Sequence, residues 1–241
     1  NSGKKIAYIY VPDQASSDFA KSMIKFMKDE YGVDPVYEAQ AGEKETDFRS
    51  FLLKAKAANP DAIVLSGLVD ETVRALKQSY EVGIPKSVAR VANSVASKVE
   101  VPTNAGKAAV GVTYAAAFAA SDKRPIAKKF VKKIKDKYGV VPGHDFSQMQ
   151  DLLDMLRPAL EKAQLKFSGN LASDRNAVRD SIASITNFTG LASGPIGFCA
   201  AGSPECRDGN KTPVMIEYTK GGKNWKTKVA GTVTFNPSAG L

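Results

Sequence analysis

Short apolar runs alternate with longer amphipathic stretches through the first half of the chain. The runs typical of strands lie near residues 6–10, 36–38, 62–65, 87–92 and 110–114. Between them, helical periodicity begins near residues 17, 46 and 70, and a shorter helix precedes the fifth strand. Such alternation is typical of βαβ units. The pattern therefore predicts an α/β protein with a doubly wound, Rossmann-like parallel sheet.

Helical spacing also predicts which side chains face the core. In the first helix, from about 17 to 31, the inward face carries Phe19, Met23, Ile24, Met27 and Tyr31. In the third helix, which Asp70 begins, it carries Val73, Leu76 and Tyr80. Residues three and four apart share one face of a helix, so we expect these side chains to be buried against the sheet.

The pattern changes beyond about residue 120. Three helices are predicted there without an intervening strand, at 125–138, 146–163 and 175–185. The stretch 192–213 is rich in loop-forming residues. Two β-runs, 214–218 and 225–233, close the chain, and the Lys-Gly-Gly-Lys sequence between them predicts a hairpin.

The chain has a formal net charge of +9, with 43% hydrophobic and 24% charged residues, the balance of a globular protein. Its lysines are spread along the sequence, and the densest run, Lys128 to Lys137, occupies one side of a predicted amphipathic helix. We therefore expect a solvated helix face and no nucleic-acid partner. No apolar run approaches the roughly 20 residues that a membrane-spanning helix needs.

Two cysteines, Cys199 and Cys206, lie in a loop rich in Gly, Ser and Pro. Neither is in an apolar stretch of the kind that usually hides a free thiol. We expect a disulfide that stabilises the loop by on the order of 2–3 kcal/mol in an oxidising compartment, with a pair of idle thiols as the alternative. No metal site is expected, because a zinc site would need both cysteines, the single histidine His144 and a further ligand.

Several fragments along the sequence are informative when taken together. They are Lys5–Tyr10, Thr46–Phe48, Ala57–Gly67, Leu76–Gln78, Val82–Ile84, Gly111–Tyr114, Phe130–Tyr138, Phe188–Gly190 and Gly194–Phe198. In their order and spacing, over essentially the whole chain, these fragments resemble type I periplasmic solute-binding proteins, the family that includes the branched-chain amino-acid-binding and other substrate-binding proteins of ABC transporters.

The resemblance implies two α/β lobes joined by three crossing segments, with a ligand held between them as a hinge closes. Residues 4–118 with 213–241 would form the second lobe, and 121–210 would return to the first. The strands that build the first lobe's sheet in this family would precede Lys4, so we expect an incomplete first lobe. Either an N-terminal segment outside this sequence or another chain would then cover the apolar faces of helices 125–138 and 146–163.

The resemblance also implies a function. It predicts a periplasmic, or otherwise extracytoplasmic, solute-binding component of an ABC-type importer that delivers a small molecule to a membrane permease. No enzymatic activity and no cofactor are expected. The same fold also serves as the ligand-sensing domain of receptors, which remains an alternative.

Ligands of open parallel sheets bind where the strands end and helices begin. The candidate binding residues follow the first, third and fourth strands: Gln14, Ala15, Ser16, Gly67, Leu68, Val69, Ala92 and Asn93. Helix capping alone is the competing explanation for the polar residues Ser17 and Asp70 in these loops.

Two departures from the family's pattern bear on the ligand. Amino-acid-binding relatives tend to have an acidic residue after the fourth strand, where this chain has Ala92 and Asn93. Ala15 stands where an aromatic residue is common. With Leu68 and Val69 beside the site, the ligand is expected to be an amino acid or an apolar or aromatic carboxylate.

A Rossmann-like enzyme is a further alternative, because one fold hosts many activities. The glycine-rich dinucleotide, P-loop and hydrolase-elbow motifs are all absent. A phospho-acceptor domain is disfavoured as well, since Asp13 stands alone after the first strand and Asp70 begins a helix. His144 is expected to be a cap or surface residue rather than a catalytic base.

Overall fold

The computed structural model describes residues 3–167, 170–192, 196–198 and 213–232. The chain divides into two compact units. The first comprises Asn1–Ala115 and Met215–Ala230, and the second comprises Ala116–Val214 and Gly231–Leu241.

Seven strands form one sheet in the order β2-β1-β3-β4-β5-β6-β7. The strands are β1 Ile6–Tyr10, β2 Tyr37–Gln40, β3 Ala62–Ser66, β4 Ala89–Ala92, β5 Val112–Ala116, β6 Val214–Lys220 and β7 Lys226–Thr232. Strands β1 to β5 pair in parallel. The predicted α/β fold with a doubly wound parallel sheet is confirmed. Only five residues join β6 to β7, a length that suits a hairpin and not a parallel crossover.

Helices connect the strands of the first unit. They are α1 Gln14–Tyr31, α2 Arg49–Ala57, α3 Val69–Glu81 and the short α4 Glu100–Ala105. The α1 side chains Phe19, Met23, Ile24 and Met27 pack against a core cluster that Ile6, Tyr8, Val33 and Val64 form. Burial of this apolar surface, at roughly 25 cal/mol per Å², is what holds the amphipathic helix on the sheet.

Two predicted inward side chains are exposed instead. Tyr31, 49% exposed, is the last residue of α1, and Gly32 ends the helix beside it with a φ of 62°. Tyr80 is 46% exposed, and the ammonium group of Lys107 lies 4.6 Å from the centre of its ring. Both tyrosines lie in the last two residues of their helices.

The second unit contains three longer helices, α5 Pro125–Tyr138, α6 His144–Ala163 and α7 Leu171–Ala183. A core cluster joins Phe118, Ala127, Phe130, Ile134 and Leu191. Within residues 117–167, 170–192 and 196–198, the one β pairing is an isolated bridge between Phe188 and Ile196. These helices therefore cover no sheet among the described residues of their own unit.

Helix α6 carries an exposed apolar face. Its large apolar side chains are between 39% and 57% exposed: Phe146, Met149, Leu152, Leu153 and Leu160. Proteins rarely leave so many neighbouring large apolar side chains in water unless another surface covers them. We call these five residues the α6 apolar face.

Three further expectations from the sequence concern a disulfide, membrane-spanning helices and metal sites. The disulfide expected between Cys199 and Cys206 lies outside the described residues. Across the part of the chain that the structure describes, no helix combines the length and hydropathy that a bilayer span requires. The same residues bring together no cluster of His, Cys, Asp and Glu suited to a metal ion.

Stability should fall in alkali because Tyr114 is buried under β6. Its side chain is 3% exposed, and burial raises its pKa to about 12. An unfolded tyrosine has a pKa near 10, so the stabilisation is complete below about pH 10 and is lost as the pH rises to about 12. Tyr114 should contribute about 3 kcal/mol to the loss measured by urea unfolding across this range, and the buried Tyr218 beside it, whose pKa is also raised by burial, should add to the loss. Tyr114→Phe should shrink this loss, whereas Tyr31→Phe, at an exposed position, should leave it unchanged.

Candidate functional site

The carboxyl ends of β1, β3 and β4 lie side by side at one edge of the sheet. The register pairs Tyr10 with Ser66 and Leu65 with Ala92, so these strands end at the same level. Strand β2 lies on one side of β1, whereas β3, β4 and β5 follow one another on its other side. The connections after β1 and β3 therefore run in opposite directions, and a crevice opens between these two strands. Ligands of doubly wound sheets bind at such points.

The loop after β1 is held by its own polar side chains. The Asp13 carboxylate accepts a hydrogen bond from the Ser16 backbone N–H at 3.0 Å and caps α1. The Ser17 hydroxyl donates to the Val11 carbonyl at 3.1 Å. Helix α1 therefore begins at Gln14, three residues earlier than predicted, because Asp13 rather than a later serine caps it. Ser17 thus has a structural role in this loop.

A chain of hydrogen bonds links the loops after β1, β3 and β4. The Ser66 hydroxyl donates to the Ser16 carbonyl at 3.0 Å. The Asn93 side-chain amide donates to the Ser66 hydroxyl and to the Gly67 carbonyl, both at 3.1 Å. We call Ser16, Ser66, Gly67 and Asn93 the strand-end network. Asn93 is 6% exposed and Ser16 1%, so the network is buried.

Two polar atoms of this network have no hydrogen-bond partner among the described residues. They are the Ser16 Oγ and the Asn93 Oδ1. A buried polar group left unpaired costs about 1–3 kcal/mol. The orientation of Asn93 is set by its two donated bonds, so its oxygen is available as an acceptor for a hydrogen-bond donor.

A small, open crevice adjoins the network. Its lining is mostly apolar and includes one carboxylate: Ile9, Phe48, Leu65, Ser66, Gly67, Glu71, Thr72 and Ala75. A Cβ added to Gly67 would lie 3.0 Å from the Glu71 Cβ, so glycine lets the chain pass close to α3 here.

The helix termini beside the crevice differ in charge. Asp13 already accepts from one N–H group at the start of α1, and the remaining N–H groups of its first turn, which carries no acidic residue, favour a hydrogen-bond acceptor. The first turn of α3 carries Asp70 and the buried Glu71, which favour a cation or a donor. A ligand with a carboxylate at one end and a donor at the other matches this arrangement.

The structure brings only some of the predicted site residues together. Ser16, Gly67 and Asn93 meet in the strand-end network. Gln14 and Ala15 are exposed on the first turn of α1, while Leu68 is exposed and Val69 half-buried at the start of α3. Ala92 is 1% exposed within β4.

Sequence reasoning missed the residues that join these loops. Ser66 links two of them, and Glu71 and Thr72 line the crevice. Ser66 reads as part of a turn after the third strand, and Glu71 reads as an ordinary residue of a helix's first turn. A possible signal was the run of small and polar residues directly after the most apolar strand.

Comparisons with known proteins agree on one fold and one family. Residues 1–205 match the family described as periplasmic binding protein. A leucine-binding protein from Thermotoga maritima is 24% identical, with a TM-score of 0.75 over 96% of this chain and 61% of that one. A solute-binding protein of an ABC transporter from Rhodopseudomonas palustris, in complex with 3,4-dihydroxybenzoic acid, is 22% identical, with a TM-score of 0.75 over 100% and 63%.

A third solved structure, an ABC transporter substrate-binding protein from Sphaerobacter thermophilus, is 18% identical. Its TM-score is 0.78 over 96% of this chain and 60% of that one. At these identities the solved structures establish the fold. The chain spans about 60% of the length of each protein it matches.

Proposed function

Since this chain belongs to the periplasmic binding protein family, we propose that it is part of an extracytoplasmic solute-binding protein that delivers a small organic molecule to the membrane permease of an ABC transporter. Members of this family bind solutes and are not enzymes. The chain's own contribution is a ligand-binding surface at the carboxyl edge of its sheet.

One observation carries this proposal. The strand-end network holds the Ser16 Oγ and the Asn93 Oδ1 buried, without hydrogen-bond partners among the described residues, beside the crevice at the point where the order of the strands reverses. The Oδ2 of Asp13, which caps α1, is likewise buried without a partner, so three such atoms lie in the loops after β1 and β4. The Ser16 hydroxyl can donate a hydrogen bond, and the Asn93 oxygen can accept one. Two such unpaired buried groups support binding of a polar ligand group at this point.

The chemistry of the edge supports a carboxylate ligand that also carries a donor. The α1 terminus would bind the carboxylate, and Asn93 Oδ1 would accept from an ammonium or hydroxyl group. An amino acid or a hydroxylated aromatic acid has both groups. Proteins of similar fold bind ligands of these classes: one is a leucine-binding protein, and two others are solved in complex with 3,4-dihydroxybenzoic acid or benzoate.

The lobe assignment is part of the same proposal. Residues 4–118 with 213–241 would form the second ligand-binding lobe, and 121–210 would belong to the first, whose described residues contain no sheet. The uncovered α6 apolar face supports this view. A further segment of the protein, or another chain, would complete the first lobe and close the binding site.

A thermal-shift screen of the full-length natural protein tests the proposed function. The compounds are amino acids, hydroxylated and simple aromatic acids, fatty acids and amides. A ligand that binds only the folded state stabilises it by RT ln(1 + [L]/Kd), about 2.7 kcal/mol at a concentration of 100 Kd. We expect an acid with a donor group to raise the Tm. Chemical turnover of the compound that binds would contradict a carrier role.

Asn93 should determine affinity for that ligand. Replacing it with leucine, which has the same branching, removes the acceptor and leaves a donor of the ligand unpaired, so Kd should rise by about 10- to 100-fold. Isothermal titration with the compound from the screen measures the change. Asn104→Leu, on the exposed side of α4 in the same unit, is the matched control and should bind as the wild type does. Unchanged affinity in Asn93→Leu would place the ligand elsewhere.

A further inference from the structure

Helix α5 concentrates positive charge on its exposed side. Its six lysines are all exposed: Lys128, Lys129, Lys132, Lys133, Lys135 and Lys137. The helix contains one acidic residue, Asp136, which forms an ion pair with Lys132. Six positive charges against one negative charge leave a net charge of +5 on a 14-residue helix.

The opposite side of α5 is anchored in the core. Ala127, Phe130 and Ile134 are at most 9% exposed, and the Phe130 ring packs edge-on against Phe118 with 5.9 Å between ring centres. At the start of the helix, the Arg124 guanidinium donates to the Leu191 carbonyl at 2.6 Å. The lysines therefore stand on a fixed, convex surface, spread over about 14 Å from Lys128 to Lys137.

Two exposed side chains of α5 are not charged. Ile126, 44% exposed, lies three and seven residues before Lys129 and Lys133 and so shares their face. Tyr138, 58% exposed, ends the helix, with the Lys137 ammonium group 5.1 Å from the centre of its ring. Lysines beside an aliphatic side chain and a terminal tyrosine resemble surfaces that rest at the headgroup level of a bilayer.

We propose that the exposed face of α5 docks the protein on the anionic surface of a membrane. Each lysine near an anionic bilayer adds to the attraction, and several acting together give appreciable affinity. Lysines also bind nucleic-acid phosphates, but α5 itself contains no arginine for base recognition, so a nucleic-acid surface is left as an outcome of the test below. Docking of this kind would keep a solute carrier near the membrane that holds its transporter, without using the strand-end network.

Co-sedimentation of the protein with vesicles tests the proposal. One set contains phosphatidylcholine alone and the other phosphatidylcholine with phosphatidylglycerol. We expect binding only to the anionic vesicles, and its loss at about 1 M salt, where the Debye length falls to about 3 Å. The triple variant Lys128→Gln, Lys129→Gln and Lys133→Gln should lower the partition coefficient at least about tenfold. Glutamine matches lysine in helix propensity, so the helix should persist.

The matched control removes three exposed lysines from the first unit. The variant Lys54→Gln, Lys77→Gln and Lys86→Gln loses the same net charge and should lower the partition coefficient less than about threefold if α5 is the docking surface. Equal losses in the two variants, or no binding of the wild type to anionic vesicles, would overturn the proposal. Tighter binding to duplex DNA, lost in the α5 variant, would identify a nucleic-acid surface instead. Ligand binding should be the same in all three proteins, which separates this test from that of the solute site.

Discussion

Replacing Asp151 with alanine is expected to lower the free energy of unfolding by about 3–5 kcal/mol, since it leaves the two buried backbone N–H groups bonded to its side chain without partners. The Asp151 side chain is 2% exposed. Its Oδ1 accepts from the Leu191 N–H at 2.6 Å and its Oδ2 from the Ala192 N–H at 2.7 Å. Hydrogen bonds to a charged acceptor contribute about 1.5–3 kcal/mol each.

Arg124 holds the same segment from its carbonyl side. Its guanidinium donates to the carbonyl oxygens of Gly190, Leu191 and Ala192 at 3.3, 2.6 and 3.2 Å. The segment 190–192 is therefore fixed through both its N–H and its C=O groups. Loss of Asp151 should release this segment and weaken the core cluster through Leu191.

Urea unfolding followed by circular dichroism measures the effect. Asp154→Ala is the matched control, because Asp154 lies one turn further along α6, is exposed, and bonds to the Gln150 amide. We expect this control to change stability by less than about 0.5 kcal/mol. A similar small change in Asp151→Ala would mean that the two backbone N–H groups find other partners.

The second large effect concerns the α6 apolar face. In the full-length natural protein, Leu153→Asp should lower the free energy of unfolding by about 3–5 kcal/mol, because the proposed covering surface would bury both a polar group and its charge. In the 241-residue chain, where Leu153 is 54% exposed, the same change should cost no more than about 0.7 kcal/mol, the difference in helix propensity. Chemical unfolding of both forms gives the comparison.

Leu53→Asp provides the control for this comparison. Leu53 lies on α2 in the first unit and is 52% exposed, nearly the same as Leu153. Its replacement should cost the same small amount in both forms of the protein. If Leu153→Asp behaves like Leu53→Asp in the full-length protein, then no further surface covers α6, and the proposed lobe completion is wrong.

Helical periodicity predicted the inward face of α1 correctly for Phe19, Met23, Ile24 and Met27 and incorrectly for Tyr31. The spacing of apolar residues states only which side chains share a face. Whether each of them is buried depends on what packs against that face after folding. Tyr80, near the end of α3, was mispredicted in the same way and contacts the Lys107 ammonium group instead of the core.

The site shows a similar division. The positions of Ser16, Gly67 and Asn93 after three strands could be predicted, because all parallel strands end at the same edge of a sheet. The linking role of Ser66 could not be predicted. Its hydroxyl meets Ser16 and Asn93 only because of the register in which β1, β3 and β4 pair. Gly190 is another such case, since a Cβ there would lie 2.3 Å from the Asp151 Oδ1.

The sequence alone determined the order of strands and helices, the parallel sheet and the family, because these follow from the local periodicity of apolar residues and from short fragments at characteristic spacing. Tertiary structure decided which polar atoms are paired, which remain unpaired at the strand ends, and which apolar face stays uncovered. The reason is physical: periodicity acts between neighbours along the chain, whereas hydrogen bonding and burial depend on residues that meet only after folding, as Asp151 meets Leu191 across 40 residues.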